Sequence, residues 1–254
     1  ALAGGTPVLV PARSDLHWDP AELRRAVAGA RLVVFSNPCN PTGVVHTRTE
    51  LDELADMLAG TETLVLADEA YDHIVFDAGR FTSALEHDGL RERTVYCQTL
   101  SKTYAMTGWR LGYLAGPGEV IAAAARIHRT VNGSVNAAVQ RAGLAAVSEG
   151  EEFFAGMLDS YRRRRDLLVA ALSGIDGLRA HVPDGTFYIF VAYRLPIPAV
   201  EFAAELGRAG VAVRAGSEYG PSGEGHFRLS FAAGEETIAE AARRIEKFMA
   251  ERRD

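Results

Sequence analysis

The residues best suited to chemistry stand in one run, Gln98-Thr-Leu-Ser-Lys-Thr-Tyr-Ala-Met-Thr-Gly-Trp-Arg-Leu-Gly-Tyr113. Lys102 sits beside a hydroxyl pair, Thr99 and Ser101, and Arg110 follows eight residues later. The apolar run Thr94-Val-Tyr-Cys97 leads in, and a strand-like segment from Leu111 to Ala115 leads out. An amine at a strand exit, flanked by hydroxyls and a guanidinium, is suited to work next to a phosphate. A protein holds pyridoxal 5'-phosphate as a Schiff base in this way. Most lysines are solvated surface groups, so the weight of this run depends on partners elsewhere.

Three further groups occur where a strand-like run gives way to a loop. In open α/β sheets ligands collect at the carboxyl ends of strands. Ser36-Asn-Pro-Cys-Asn-Pro-Thr-Gly43 follows Leu32 to Phe35. Its two Asn-Pro pairs and glycine enforce a non-helical turn from which Asn40 can present its amide; a purely structural loop is the competing reading. Asp68-Glu-Ala-Tyr71 closes the run Leu64 to Ala67. A carboxylate leaving a buried strand needs a partner. A protonated pyridine nitrogen is one, and Tyr71 could donate to a ring oxygen. Alternatively Asp68 caps the next turn and Tyr71 packs with its hydroxyl in water. In Phe227-Arg-Leu-Ser-Phe231, Arg228 either faces solvent from an edge strand or grips a carboxylate with a two-pronged hydrogen bond.

The elements that must position these groups alternate through the first two thirds of the chain. Strands are expected at Pro7 to Val10, Leu32 to Phe35, Leu64 to Ala67, Val95 to Gln98 and Leu111 to Ala115. Helices are expected from Asp19-Pro20 to Ala28, from a Thr47 or Thr49 cap to Leu58, and from Pro117 to Arg129. This alternation predicts an α/β unit with a mainly parallel sheet covered by helices. A long helix over Glu151 to Leu172 opens a smaller α+β unit. Its strands fall at Leu178 to Val182, Phe187 to Tyr193, Val211 to Arg214 and His226 to Phe231, with helices at Ala199 to Ala209 and Glu235 to Glu251.

Composition narrows the function classes. The 254 residues are 48% hydrophobic and 24% charged, with a net charge of −6, which is soluble globular composition and disfavours nucleic acid as a partner. Arg162 to Arg165 are consecutive, so on a helix they surround the axis and read as a solvated face. Cys39 and Cys97 are the only cysteines, without a CxxC pair or a metal-ligand spacing to the histidines. The expectation is a reduced, cytoplasmic protein with no metal, no membrane span and no signal peptide.

Taken together the four groups resemble the fold-type I pyridoxal-phosphate enzymes, and within them the class I/II aminotransferases. The motifs Asn37-Pro-x-Asn-Pro-Thr-Gly43, Asp68-Glu-Ala-Tyr71, Ser101-Lys102 followed by Gly108-x-Arg-x-Gly112, and Arg228-x-Ser230 stand in the family's order and spacing. Ala105-Met-Thr-Gly-Trp-Arg110 is most similar to the bacterial subgroup that includes aspartate and aromatic aminotransferases.

The resemblance implies a large domain over residues 1–160, N-terminally incomplete, and a small C-terminal domain over 161–254 that closes over substrate. In the family a segment preceding the first strand here carries a phosphate loop and the aromatic that stacks on the ring. The implied activity moves an amino group between an L-amino acid and a 2-oxo acid. Lys102 would form the internal aldimine and shuttle the proton. Asp68 would hold the pyridine nitrogen, and Tyr71 and Asn40 would contact the phenolic oxygen. Arg110, Thr99 and Ser101 would bind phosphate, with Thr99 at the position usual for a serine. Arg228, with Asn40, would hold the substrate carboxylate. A homodimer is also implied. A β-lyase, an oxidase or a decarboxylase on the same fold would share Lys102 and Asp68. An aminotransferase-like sensor domain of a transcription regulator is the non-enzymatic alternative.

Overall fold

Local sequence sets the element boundaries in the computed structural model, which describes residues 4–77, 79 and 81–252. Asp19 accepts hydrogen bonds from the N–H groups of Ala21 and Glu22, and Pro20 fills the first turn, so helix α1 runs Pro20–Val27. Strand β1 (Leu32–Ser36) follows. Thr47 and Glu50 form a capping box that starts α2 (Arg48–Leu58). Next come β2 (Leu64–Asp68), β3 (Thr94–Thr99), the one-turn helix α3 (Leu100–Thr103), β4 (Gly112–Ala115), α4 (Gly118–Val131) and α5 (Ala137–Glu149). The remainder is α6 (Glu151–Ser173), β5 (Leu178–Ala180), β6 (Tyr188–Tyr193), α7 (Ala199–Arg208), β7 (Arg214–Ala215), β8 (His226–Ser230) and α8 (Glu235–Ala250).

The chain divides into two compact units. A central unit comprises Gly29–Cys39 and Val45–Asp159, and a terminal unit comprises Ala1–Ala28, Asn40–Val44 and Ser160–Asp254. The stretch up to Ala28 and the loop 40–44 therefore group with Ser160–Asp254. Hydrogen bonding explains the loop: the Gly43 carbonyl accepts the N–H groups of both Asp184 and Gly185 at 2.9 Å. Asp15 and His17, from the opening segment, lie within electrostatic reach of His181.

In the central unit the sheet order is β1-β2-β3-β4. The first three strands are parallel and β4 runs antiparallel to β3, so the expected mainly parallel sheet is present. Alternation along β2 buries Val65 and Ala67, and α2 buries Leu51, Leu54 and Leu58. Ser36 pairs with Asp68 and Asp68 with Cys97. The carboxyl ends of the parallel strands are thereby level, and their exit loops emerge on one side.

The terminal unit has an antiparallel sheet in the order β5-β6-β8-β7. Its core is aromatic. Phe202 of α7 stacks on Tyr193 at 4.0 Å and on Phe227 at 4.9 Å, and α8 buries Ile238, Ile245 and Phe248.

Three local expectations change. Pro7 to Val10 forms no strand: Val8 and Leu9 are exposed, and the nearby pairing is an isolated bridge between Ala12 and Trp18. The Val211 to Arg214 strand shrinks to Arg214–Ala215. Helix α5 was not foreseen, because it buries only Gly143 and so carries a faint apolar stripe. Among the described residues no helix is long and apolar enough to cross a membrane.

Candidate active site

The exit of β3 is built around Thr99. It caps α3, its Oγ1 accepting the Ser101 N–H at 3.1 Å. The same oxygen lies 2.8 Å from Ser101 Oγ and 3.1 Å from the Leu111 carbonyl. Lys102 therefore sits on a short helical turn rather than directly at the strand exit. It is half-buried, with Nζ 5.6 Å from the ring centroid of the buried Tyr71. This places the amine of the third strand's exit against the phenol of the second's.

Arg110 lies in the reversal between α3 and β4. Its backbone is left-handed, φ 54 and ψ 50, a conformation that costs a non-glycine residue roughly 1–2 kcal/mol. The side chain is exposed, and Nη1 donates to the Thr107 carbonyl at 3.0 Å. The following strand approaches β3 closely: a Cβ on Gly112 would lie 2.5 Å from the Gln98 carbonyl oxygen. Thr99 pairs with Gly112, so Arg110 is only two residues from the Thr99 end of the ladder.

Asp68 is the last residue of β2 and is exposed. Its Oδ1 accepts the Ala70 N–H at 3.2 Å, so the turn-capping role is present in the structure. That bond leaves the second oxygen for another partner. Beside it, burial pushes the Cys97 thiol up, with the Asp68 charge adding to the effect.

Glu69 points the opposite way and is completely buried. Its Oε1 accepts the Ala84 N–H at 2.8 Å. Burial pushes the carboxyl up to about 7, against the opposing hydrogen bonds from Ala84 and Ser83. Behind the strand ends runs a polar chain. Gln98 Nε2 donates to the Glu69 carbonyl at 3.0 Å and to Tyr96 Oη at 2.9 Å, and Gln98 Oε1 accepts the Thr99 N–H. Tyr96 Oη donates to Asp72 at 2.8 Å. Asp72 also meets His73 at 2.5 Å and raises the imidazole pKa through that bond. Gln98 thus ties the ends of β2 and β3 together.

Asn37 plays a similar part at β1. It is buried, its N–H donates to the Asp68 carbonyl at 3.0 Å, and its Oδ1 accepts the His46 N–H at 2.9 Å. The sequence signalled Asn40 and passed over Asn37. Gln98 had one signal, a polar residue in an otherwise apolar run.

In the terminal unit Arg228 Nη1 donates to Asn40 Oδ1 at 2.7 Å. Strand β8 is internal, between β6 and β7, which removes the edge-strand reading. The guanidinium carbon lies 3.9 Å from the Tyr188 ring centroid and 5.1 Å from that of Tyr219. Neither tyrosine stood out in the sequence. Within each unit the structure therefore pairs foreseen residues: Lys102 with Tyr71, Thr99 with Ser101, and Asn40 with Arg228.

A family model described as aminotransferase class I and II matches residues 1–245. The chain belongs to this family. Among similar aminotransferases, the aspartate/prephenate aminotransferase of Cereibacter sphaeroides is 35% identical, the match covering 98% of this chain and 66% of that protein. The aspartate aminotransferase of Pyrococcus abyssi is 35% identical, with coverage of 99% and 66%. A crystal structure of an aromatic aminotransferase from Pyrococcus horikoshii OT3 superposes with a TM-score of 0.93 at 36% identity, covering 99% of this chain and 69% of that one. The chain spans just under two thirds of the length of these curated aminotransferases.

Proposed function

We propose that this chain supports transfer of an amino group between an L-amino acid and a 2-oxo acid, with pyridoxal 5'-phosphate as cofactor. The observation that carries the reading is Lys102 on the turn closing β3, with Nζ 5.6 Å from the Tyr71 ring and with Thr99, Ser101 and Arg110 on the same β3-to-β4 connection. Family membership supports it.

The donor set of the central unit fits the cofactor. Lys102 offers an amine to an aldehyde, and Asp68 offers a strand-end carboxylate to a ring nitrogen. Tyr71 offers a phenol to the ring oxygen, and Arg110, Thr99 and Ser101 offer donors to a phosphate. When bound, the group supplies a carbonyl that takes up the amino group and a ring that draws electrons from the substrate's alpha carbon. Lys102 moves the proton at that carbon, which its flexible stem and a free amine allow. The negative charge of Asp68 favours a protonated ring nitrogen. Thr99 and Ser101, already in contact, can each turn a hydroxyl hydrogen toward a phosphate oxygen, and Arg110 adds a positive charge. In the terminal unit Arg228 takes the alpha-carboxylate, while Asn40 fixes Nη1 and leaves other N–H groups of the guanidinium for the ligand. The reading includes a cytoplasmic homodimer.

The test is a half-reaction on the whole native protein. Adding an L-amino acid should bleach the cofactor's visible band, and a 2-oxo acid should restore it; release of ammonia instead would favour a lyase or an oxidase. The Lys102→Ala variant should keep its circular dichroism but lose the visible band and the transfer. Normal turnover by this variant would overturn the assignment.

A further inference from the structure

We propose that Tyr188 and Tyr219 form an aromatic clamp that positions Arg228 for a substrate carboxylate. The proposal rests on the carboxylate role given to Arg228 above and adds the residues that make that role specific.

The strand register creates the clamp. Arg228 on β8 stands directly opposite Phe190 on β6. Tyr188, two residues earlier on β6, shares that face as the diagonal neighbour, within reach of a long side chain. The guanidinium lies 3.9 Å from the Tyr188 ring centroid, at stacking distance. Tyr219 ends the 3-10 turn Gly216–Tyr219 and brings a second ring to 5.1 Å. Tyr219 is itself fixed by an edge contact with Phe190 at 6.5 Å.

Two aromatic contacts within about 6 Å each attract the cation and restrict its rotamers. They cover part of the guanidinium and leave N–H groups as its polar outlet. Asn40 takes one of these. On the other flank Arg214 stands opposite Arg228 on β7, a like-charge pairing that would repel. Glu218 neutralises it by an ion pair with Arg214. Arg228 is thus held as a positive, oriented donor fork, the form that binds a planar carboxylate in two-pronged fashion.

The test uses the whole native protein loaded with pyridoxal phosphate. L-aspartate and L-phenylalanine serve as probes, with Kd from calorimetric titration and the half-reaction rate at saturation. Tyr188→Leu should raise Kd about 5- to 30-fold, the loss expected for a desolvated cation–π contact of about 1–2 kcal/mol. The saturated rate should move by less than about 2-fold, because the contact acts on binding rather than on the proton transfer. Tyr188→Phe keeps the ring and should restore Kd to within about 2-fold of the wild-type value. Tyr219→Leu, at the longer distance, should raise Kd less, about 2- to 5-fold. If Tyr188→Leu fails to fold, Tyr219→Leu carries the test, since Tyr219 lies outside the strands.

A wild-type Kd in both leucine variants would sink the clamp, as would equal damage from the phenylalanine and leucine variants. If Arg228→Ala weakens binding while the leucine variants do not, the clamp alone fails. If Arg228→Ala leaves the binding of both probes unchanged, the carboxylate role itself falls.

Discussion

Glu69 offers a pH-dependent measurement of how the central unit is held together. Its carboxyl is fully buried beside Asp68, and burial raises its pKa from 4.5 to about 7. Between those values the folded protein retains a proton that the unfolded chain has released. Stability from this group is therefore complete below about pH 4.5 and is lost as pH rises through about 7. The gap of about 2.5 pH units, at about 1.4 kcal/mol each, amounts to about 3.5 kcal/mol, of which about 2.5 kcal/mol falls between pH 5 and pH 8. Glu69→Gln has no proton to lose, yet its amide oxygen can still accept the Ala84 N–H. Urea unfolding followed by circular dichroism should show the wild-type midpoint falling from pH 5 to pH 8 by about 1 M more than that of the variant, for a slope of about 2–3 kcal/mol per M. Groups common to both proteins cancel in this comparison. Equal pH slopes would show that Glu69 does not titrate in this window and that the burial argument is wrong.

Two other predictions concern the loop carrying Asn40 and the exposed apolar residues of α4 and α5. Gly43 has φ +76, and a Cβ there would lie 2.3 Å from Pro183 Cβ, so Gly43→Ala should cost at least about 2 kcal/mol and lower Tm by roughly 4–8 °C; an unchanged Tm would refute the close approach. Ile127, Val131, Leu144 and Val147 are 66%, 75%, 65% and 56% exposed, so sedimentation velocity should find a homodimer in the wild-type protein and a monomer in Val131→Lys/Leu144→Lys. A wild-type monomer at micromolar concentration would remove the dimer from the proposed function.

The fold was most legible where local rules act. Asp19-Pro20 and the Thr47/Glu50 capping box announced α1 and α2, and Leu64 to Ala67 announced β2, because caps and strand periodicity depend on neighbours in sequence. The same holds for Lys102, Asp68 and Arg110, which lie next to the strand ends that display them. Long-range pairing was not legible. Tyr188 meets Arg228 only through the β6–β8 register, and Tyr219 through a turn folded back over the sheet. The buried orientation of Glu69 follows from the pleat of β2, which sends Asp68 outward and the next side chain inward. The Pro7 to Val10 pattern misled because a strand needs a partner as well as a composition. Arg228 shows both limits: the sequence allowed an edge strand, and the register placed it between two others.

The hydrogen bond between Asn40 and Arg228 has a consequence for biosynthesis. It joins residues 188 positions apart, so the Asn40 loop reaches its partner only after β8 has left the ribosome. The central unit is fully translated once Asp159 has been added, and at about 5–20 residues per second the stretch from there to Ser230, the end of β8, takes roughly 4–14 s more. During that interval the Asn40 loop is tethered to a stretch already made, while the strand that receives it is still being made. The contact between Asn40 and Arg228 therefore waits on β8, which is made well after the last residue of the central unit.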